Sequence, residues 1–287
     1  MKVVVIGSGL MGSQIGVRHL LAGHDVLFVA RRVGAAETRV RAALGLADEL
    51  ELAPPEALAQ AEARVAVASS LTEADPSAEL VLESIVEDFD AKASVLSAAA
   101  STVPQALLAS NTSSLSITAL GEASGSPERT LGMHYLNPPL LMRPVEVVVG
   151  ARTARDGVEW ACEMLRGLGW LPLVVERDVP GFLWNRLQFA LLREAVWLVE
   201  QGVATPEAVD TAVREGLARR WRFTGPFETV ALGGPATFAS VAANLLPELS
   251  TAQDVSNLDH TASKDEAALA ELRERRDRGL AEEARRR

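Results

Sequence analysis

The sequence predicts an α/β chain, an N-terminal doubly wound sheet followed by an all-α domain. Three observations predict it. The first 30 residues read as strand, turn, helix and second strand, apolar runs then alternate with helical segments as far as residue 117, and from about Asp178 long helices take over. The division is placed at residues 1–179 and 180–287.

KVVVI at 2–6 is a short β-branched run and DVLFVA at 25–30 a second, with the amphipathic SQIGVRHLLAGH between them. The connecting GSGLMG sets Gly7, Gly9 and Gly12 in G-x-G-x-x-G spacing, with Leu10 and Met11 inside the loop. The first glycine permits the tight turn, the second lets a pyrophosphate approach the backbone, and the third lets helix pack on strand. Phosphates would then rest on the positive end of the helix. This is the fingerprint of a Rossmann-type dinucleotide site.

Helical segments are expected near 34–49 and 55–62, then the apolar runs ARVAVA and ELVLESI, a helical AKASVLSAAAS, and ALLAS leading into NTSSLSIT. Ligands of such a sheet sit at the carboxyl ends of its strands, and Ser113 and Ser114 lie just past one. These serines either cap the helix that opens at SITALGEA or touch substrate, and the two roles are compatible. After Pro180 and Gly181 a long amphipathic helix runs through NRLQFALLREAVWLVEQG, and Thr205 is the expected cap of the next. Residues 264–287 mix seven acidic with eight basic side chains, as a solvated helix laced with i,i+4 pairs would.

Formal net charge is −10 over 287 residues, so the basic footprint of a nucleic-acid binder is missing and no such partner is expected. The single cysteine, Cys162, has no disulfide partner within the chain and is expected to be a buried structural thiol. Met1 leads at once into a strand and no apolar run approaches the length of a membrane span. A cytoplasmic chain with no membrane partner and no metal site is expected.

At 132–146 the chain reads GMHYLNPPLLMRPVE, which puts His134 and Glu146 on the two sides of an Asn-Pro-Pro turn. If the turn closes a hairpin, the two pair as a base and its orienting carboxylate. That geometry suits proton transfer coupled to hydride transfer.

Taken together, VIGSGLMG, ESIVEDFDAK, SNTSSLSIT, GMHYLNPP followed by PVEVV, DVPGFLWNRL, and GPFE at 225–228 resemble the 3-hydroxyacyl-CoA dehydrogenase superfamily over most of the chain. The resemblance implies that His134 is the general base and Glu146 its partner. It implies that Ser113 and Asn185 contact the substrate, and that Glu87 and Lys92 contact cofactor and substrate. A homodimer assembled through the helical domain is also implied, and the apolar surface of the long helix and of FASVAANLL at 238–246 points the same way. The C-terminal half is more similar to gulonate 3-dehydrogenase and lambda-crystallin than to the fatty-acid oxidation enzymes, whose G-K-K-T-G ending is absent. Relatives that reduce polyketide-type 3-oxo acyl chains share the same core.

NAD enzymes of this kind carry an acidic residue after the second strand for the ribose 2′-hydroxyl, but here Ala30, Arg31 and Arg32 stand there. Two arginines without a carboxylate are the arrangement expected for NADP(H), because guanidinium pairs bidentately with phosphate. NAD(H) is the alternative if the arginines merely open the next helix. The expected function is an NAD(P)-dependent dehydrogenase or reductase that interconverts a 3-hydroxy acid derivative (acyl-CoA, acyl thioester or free acid) and its 3-oxo form. The alternatives are a ketoreductase of a polyketide-type pathway and a catalytically silent crystallin-like nucleotide-binding protein. Retention of serine, histidine, glutamate and asparagine together argues against the silent one.

Overall fold

The computed structural model describes residues 1–253, 255 and 265–285. Its contacts divide the chain into two compact units, Met1–Asn185 together with the segment from Leu272 on, and Arg186–Glu271. In the first, strands β1 (Lys2–Ile6), β2 (Asp25–Val29), β3 (Ala66–Ala68), β4 (Leu80–Glu83), β5 (Leu107–Ser110), β6 (Thr130–Tyr135), β7 (Pro144–Val148) and β8 (Leu171–Val175) form one sheet. Their order is β3-β2-β1-β4-β5-β6-β7-β8. The first six strands are parallel, β7 runs antiparallel to β6, and β8 is parallel to β7. This is the doubly wound sheet expected; β8 alone was not anticipated.

Helices α1 (Leu10–Leu21), α2 (Val33–Glu49), α3 (Pro55–Ala63), α4 (Phe89–Thr102), α5 (Ile117–Ser124) and α6 (Arg155–Gly167) cover both faces. Because side chains alternate along a strand, a strand buried on both sides must be apolar at every position. In β1, Val3 and Val5 join a core with Phe28, Leu82, Met133 and Trp170, while Val4 and Ile6 join the opposite core with Val81, Leu108 and Ile117. On α6 the buried residues are Val158, Ala161, Cys162 and Leu165, the i, i+3, i+4, i+7 stripe of a helix with one apolar face. Cys162 is buried there, and burial pushes its thiol pKa up, away from the reactive thiolate.

One face of α1 is unusual in being aromatic and basic. His19 is fully buried with its Nδ1 3.0 Å from that of His24, and desolvation holds its pKa down at about 3. Trp170 packs edge-on against Tyr135 at 5.0 Å between ring centres. The Arg18 guanidinium lies 4.6 Å over the same indole and donates to the carbonyls of Leu168 and Leu140 at 2.8 and 3.3 Å. Gln14 accepts from the Leu140 amide at 3.4 Å, so α1 is bolted to the segment that follows β6.

The second unit holds the rest of α7 (Trp184–Glu200), then α8 (Pro206–Thr211), a π-helical turn at Ala212–Leu217, α9 (Ala218–Trp221), α10 (Pro226–Gly233) and α11 (Pro235–Leu245). Thr205 caps α8 as expected, accepting from the Ala208 amide at 3.2 Å. Apolar side chains stay uncovered along these helices, with Phe227 88% and Leu232 79% exposed and Leu187, Phe189, Val241 and Leu246 all above half. No single helix among the described residues is long and apolar enough to cross a membrane; α10 with Pro235–Glu248 meets the length and composition only as a pair bent by 112°.

The last helix, α12 (Glu266–Arg285), is charged as its sequence requires, with Arg278 paired to Glu274 at 2.6 Å. From Leu272 on it belongs to the first unit, whereas the sequence reading placed everything after residue 180 in one helical domain. The cause is small: Ala281 is buried, Leu280 packs on the larger core, and Arg285 pairs with Glu51 at 2.8 Å. Lys264, Arg286 and Arg287 of the same charged stretch lie outside the described residues.

Candidate active site

Between β1 and α1 the three glycines occupy the positions that their spacing predicts. Gly7 has φ +97°, and a Cβ there would stand 2.4 Å from the Ser84 carbonyl oxygen; a Cβ at Gly12 would stand 1.9 Å from that of Gly7. A Cβ at Gly9 would meet no protein atom within 4 Å. Gly7 and Gly12 therefore serve the fold, and Gly9 leaves open space over the helix end. That end has no side-chain cap and no acidic residue in its first turn, so its amides and positive dipole are unspent. This cradle fits a dinucleotide pyrophosphate. Leu10, 60% exposed, and Met11 line its rim.

The Gly7 amide donates to the Val29 carbonyl, which sets the end of β2 beside the loop. Ala30, Arg31 and Arg32 follow, with Arg32 in the N-cap position of α2 and both arginines exposed. Neither forms an ion pair among the described residues.

His134 and Glu146 are directly paired residues of the antiparallel β6–β7 ladder, on the same face. The Asn137–Pro138 peptide of the intervening turn is cis. His134 Nδ1 lies 2.6 Å from Glu146 Oε2. The other carboxylate oxygen accepts from the Leu183 and Trp184 amides at 2.8 and 2.7 Å. Those amides stand at the start of α7, after a turn in which Gly181 and Phe182 take φ +78° and +48°. A phenylalanine in the left-handed region is strained. Burial holds it there, with its ring 5.8 Å from the His134 ring.

One residue further, Asn185 Nδ2 donates to the Ser113 carbonyl oxygen at 3.1 Å. Glu87 faces the same serine from the other side. Its Oε1 accepts from the Thr112 hydroxyl at 2.6 Å, the Ser113 amide and hydroxyl at 2.8 and 3.2 Å, and the Ser114 amide and hydroxyl at 3.1 and 2.9 Å. Burial pushes the Glu87 pKa up, but these hydrogen bonds and the charge of Lys92 outweigh it and hold the group at about 2. The helix cap is neither Ser113 nor Ser114 but Ser116, which accepts from the Ala119 amide and donates to Asp178. Lys92 is 1% exposed and spends its ammonium on Glu83 at 2.7 Å and Glu87 at 3.4 Å.

The structure thus joins His134 to Glu146, and Asn185, Ser113, Glu87 and Lys92 to one another. Sequence reading missed the backbone amides of Leu183 and Trp184, which carry no side-chain signature. It also missed Asn111, whose side chain accepts from the Tyr135 amide at 2.9 Å and donates to Ser84 at 3.2 Å, tying the ends of β4, β5 and β6 together. Its place beside Thr112 in the quoted S-N-T-S-S segment was the available signal. A cavity of about 550 Å³ bounded by Glu79, Leu107, Arg129 and Trp160 opens at the amino ends of β4 and β5, away from these residues. No cluster among the described residues is arranged to hold a metal ion.

Two family models account for nearly the whole chain: the NAD-binding domain of 3-hydroxyacyl-CoA dehydrogenase over residues 2–179 and its C-terminal domain over residues 181–270. The chain belongs to the 3-hydroxyacyl-CoA dehydrogenase family. It is an oxidoreductase acting on CH–OH groups with a nicotinamide cofactor. Among its relatives is 5-formyl-3-hydroxy-2-methylpyridine 4-carboxylate 5-dehydrogenase of Mesorhizobium japonicum, 37% identical over 88% of this chain and 82% of the relative. L-carnitine dehydrogenase of Streptomyces griseus is 34% identical over 97% of this chain and 88% of its own. A crystal structure of the first kind of enzyme, described as an NAD+-dependent dismutase, superposes with TM-score 0.87 at 31% identity and covers 99% of this chain and 97% of that one. By contrast, 3-hydroxybutyryl-CoA dehydrogenase of Escherichia coli K12, 34% identical with TM-score 0.70, covers 75% of this family member and 46% of its own chain.

The glycine geometry separates two variants of this family member. Gly9→Ala should leave the melting temperature within about 2 °C, because φ −66° suits alanine and no protein atom is in the way. It should raise the dissociation constant for the reduced dinucleotide at least about tenfold, a loss of roughly 1.4 kcal/mol. Gly12→Ala should instead lower the melting temperature sharply. Calorimetry and a fluorescence titration of NADH and NADPH read both effects, and a Gly9→Ala protein that binds normally would remove the loop from the cofactor site.

Proposed function

We propose that the chain interconverts a 3-hydroxy acid and its 3-oxo form, with His134 as the proton carrier. The observation that carries this reading is the 2.6 Å pairing of His134 with a Glu146 whose second oxygen is held by two amides. With Nδ1 committed to Glu146, Nε2 is the nitrogen left to face substrate. In oxidation Nε2 takes the hydroxyl proton as hydride leaves the adjacent carbon, and in reduction the imidazolium returns that proton to the carbonyl oxygen. A bound nicotinamide supplies or accepts the hydride. Glu146 fixes the tautomer and stabilises the imidazolium, and the amides keep its carboxylate from rotating away. Ser113 and Asn185 hold the substrate oxygen and stabilise charge developing on it.

A small acid without coenzyme A is the substrate class that the relatives support. Two of those that match over most of their length are named for a pyridine carboxylate and for L-carnitine, whereas the E. coli acyl-CoA enzyme covers only 75% of this chain. His134→Ala and Glu146→Gln should each lower kcat by at least about 100-fold with cofactor affinity nearly unchanged. The double variant should add little, because the two act as one assembly. Steady-state kinetics with a panel of free and CoA-linked 3-oxo acids measures both, and fully additive losses would break the pair assignment.

For the dinucleotide, Arg31 and Arg32, which form no ion pair among the described residues, and the absence of a carboxylate at Ala30 support NADP(H). NAD(H) is the second reading, favoured by the NAD-binding domain model and the NAD+-dependent relative. If an arginine clamps a 2′-phosphate, kcat/KM should favour NADPH over NADH at least about tenfold at low salt, since a charge-assisted hydrogen bond contributes about 1.5 to 3 kcal/mol. Added salt should shrink that advantage by screening. Equal use, or preference for NADH, would establish NAD(H).

The uncovered Leu187, Phe189, Phe227, Leu232 and Leu246 support a homodimer formed through the second unit. Sedimentation of the full chain at micromolar concentration should give twice the 30.6 kDa chain mass. A monomer there would refute it.

A further inference from the structure

Glu83 has no role in the family reading above, yet it is fully buried at the carboxyl end of β4 and both of its carboxylate oxygens are hydrogen-bonded. Its Oε1 accepts from the Ile85 amide and the Lys92 ammonium, both at 2.7 Å, and its Oε2 accepts from the Ser110 hydroxyl at 2.6 Å. Ser110 closes β5 and Lys92 lies in the first turn of α4, so one carboxylate joins two strand ends and a helix. Lys92 also donates to the Ile85 carbonyl at 3.3 Å and faces Glu87 at 3.4 Å. Two carboxylates therefore share one ammonium. The nearer is sealed in the core, and the farther gathers the Thr112–Ser114 loop.

We propose that Glu83 is a positioning residue of the hydride-transfer site, acting through Lys92 to fix Glu87 and thereby the Ser113 hydroxyl and carbonyl. The physical reason is the balance of charge around Lys92. A buried ammonium must be neutralised by a carboxylate in contact. With Glu83 supplying that contact, Glu87 is free to remain at the longer distance and accept from five loop donors. Without it, Glu87 is the remaining counter-ion, and closing on Lys92 draws it off Thr112, Ser113 and Ser114. The inference rests on the proposed function only in that Ser113 is taken to hold substrate; the relay itself is independent of the substrate.

The test pairs hydrogen exchange with kinetics in the full-length protein. Glu83→Gln keeps the size of the side chain and removes its charge. It should accelerate exchange of the Ser113, Ser114 and Leu115 amides at least about tenfold, the equivalent of roughly 1.4 kcal/mol, while the amides of β1 and β2 stay as protected as in the unmodified chain. With acetoacetate as the 3-oxo probe, kcat/KM should fall at least about tenfold and the dissociation constant of the cofactor should stay within about twofold. In Lys92→Met no ammonium remains to draw Glu87 away, so adding Glu83→Gln to it should leave these amides as protected as in Lys92→Met alone. Normal loop exchange in folded Glu83→Gln overturns the relay, and so does a double variant whose effects on the loop add. If Glu83→Gln does not fold, the double variant, which removes both charges, decides: loop amides loosened at least about tenfold with no ammonium present to draw Glu87 away would overturn the proposal. Should the unmodified enzyme fail to turn over any 3-oxo acid, the proposed function falls, and the exchange measurements still decide for or against Glu83.

Discussion

The site depends on a carboxylate buried at a helix start. Glu146 has no contact with water, and a buried carboxylate is tolerable only when its lone pairs are met. Three donors meet them: the imidazole across the β6–β7 ladder and the amides of Leu183 and Trp184 at the start of α7. Each party removes a cost from the other. The two amides gain an acceptor, and the carboxylate gains the positive end of a dipole. Because the next residue is Asn185, the same contact delivers a side chain to the Ser113 carbonyl, so the His134–Glu146 pair and the Ser113 loop share one anchor.

The carboxyl ends of the strands follow a common plan. Glu83 ends β4, Ser110 ends β5, and Asn111 immediately beyond reaches both Ser84 and the Tyr135 amide of β6. Parallel strands have no hairpins to fix the positions of their ends, so polar side chains perform that task here. The arrangement is costly in desolvation and is kept tolerable by being fully satisfied; a network with one partner removed is worse than an apolar core.

Much of this was legible in the sequence because it lies in patterns that have one physical cause. The glycine spacing is forced by backbone approach within a few ångströms, and the β-branched runs by burial on both faces, so loop and sheet could be read directly. His134 and Glu146 were found because a turn between two strands brings flanking residues opposite each other. Of the features that escaped, three show why. The Leu183 and Trp184 amides act through backbone, which no residue type announces. Glu83 sits in a strand that reads as apolar except at its end, where a charged residue looks solvated until Lys92 is seen to be buried beside it. The return of α12 to the first unit rests on Leu280 and Ala281, too short an apolar stretch to stand out in a helix of alternating charges.

The bolting of α1 to the segment after β6 has a further consequence. Arg18 and Gln14 hold the Leu140 and Leu168 backbone from the same helix whose first turn faces the dinucleotide cradle. Within this unit the glycine-rich loop and the hairpin that carries His134 are therefore tied to one and the same helix. With His134 in the role proposed for it, aligning a hydride donor with a proton donor would then demand little reorganisation when ligands arrive, since the groups of the site are already tied in place.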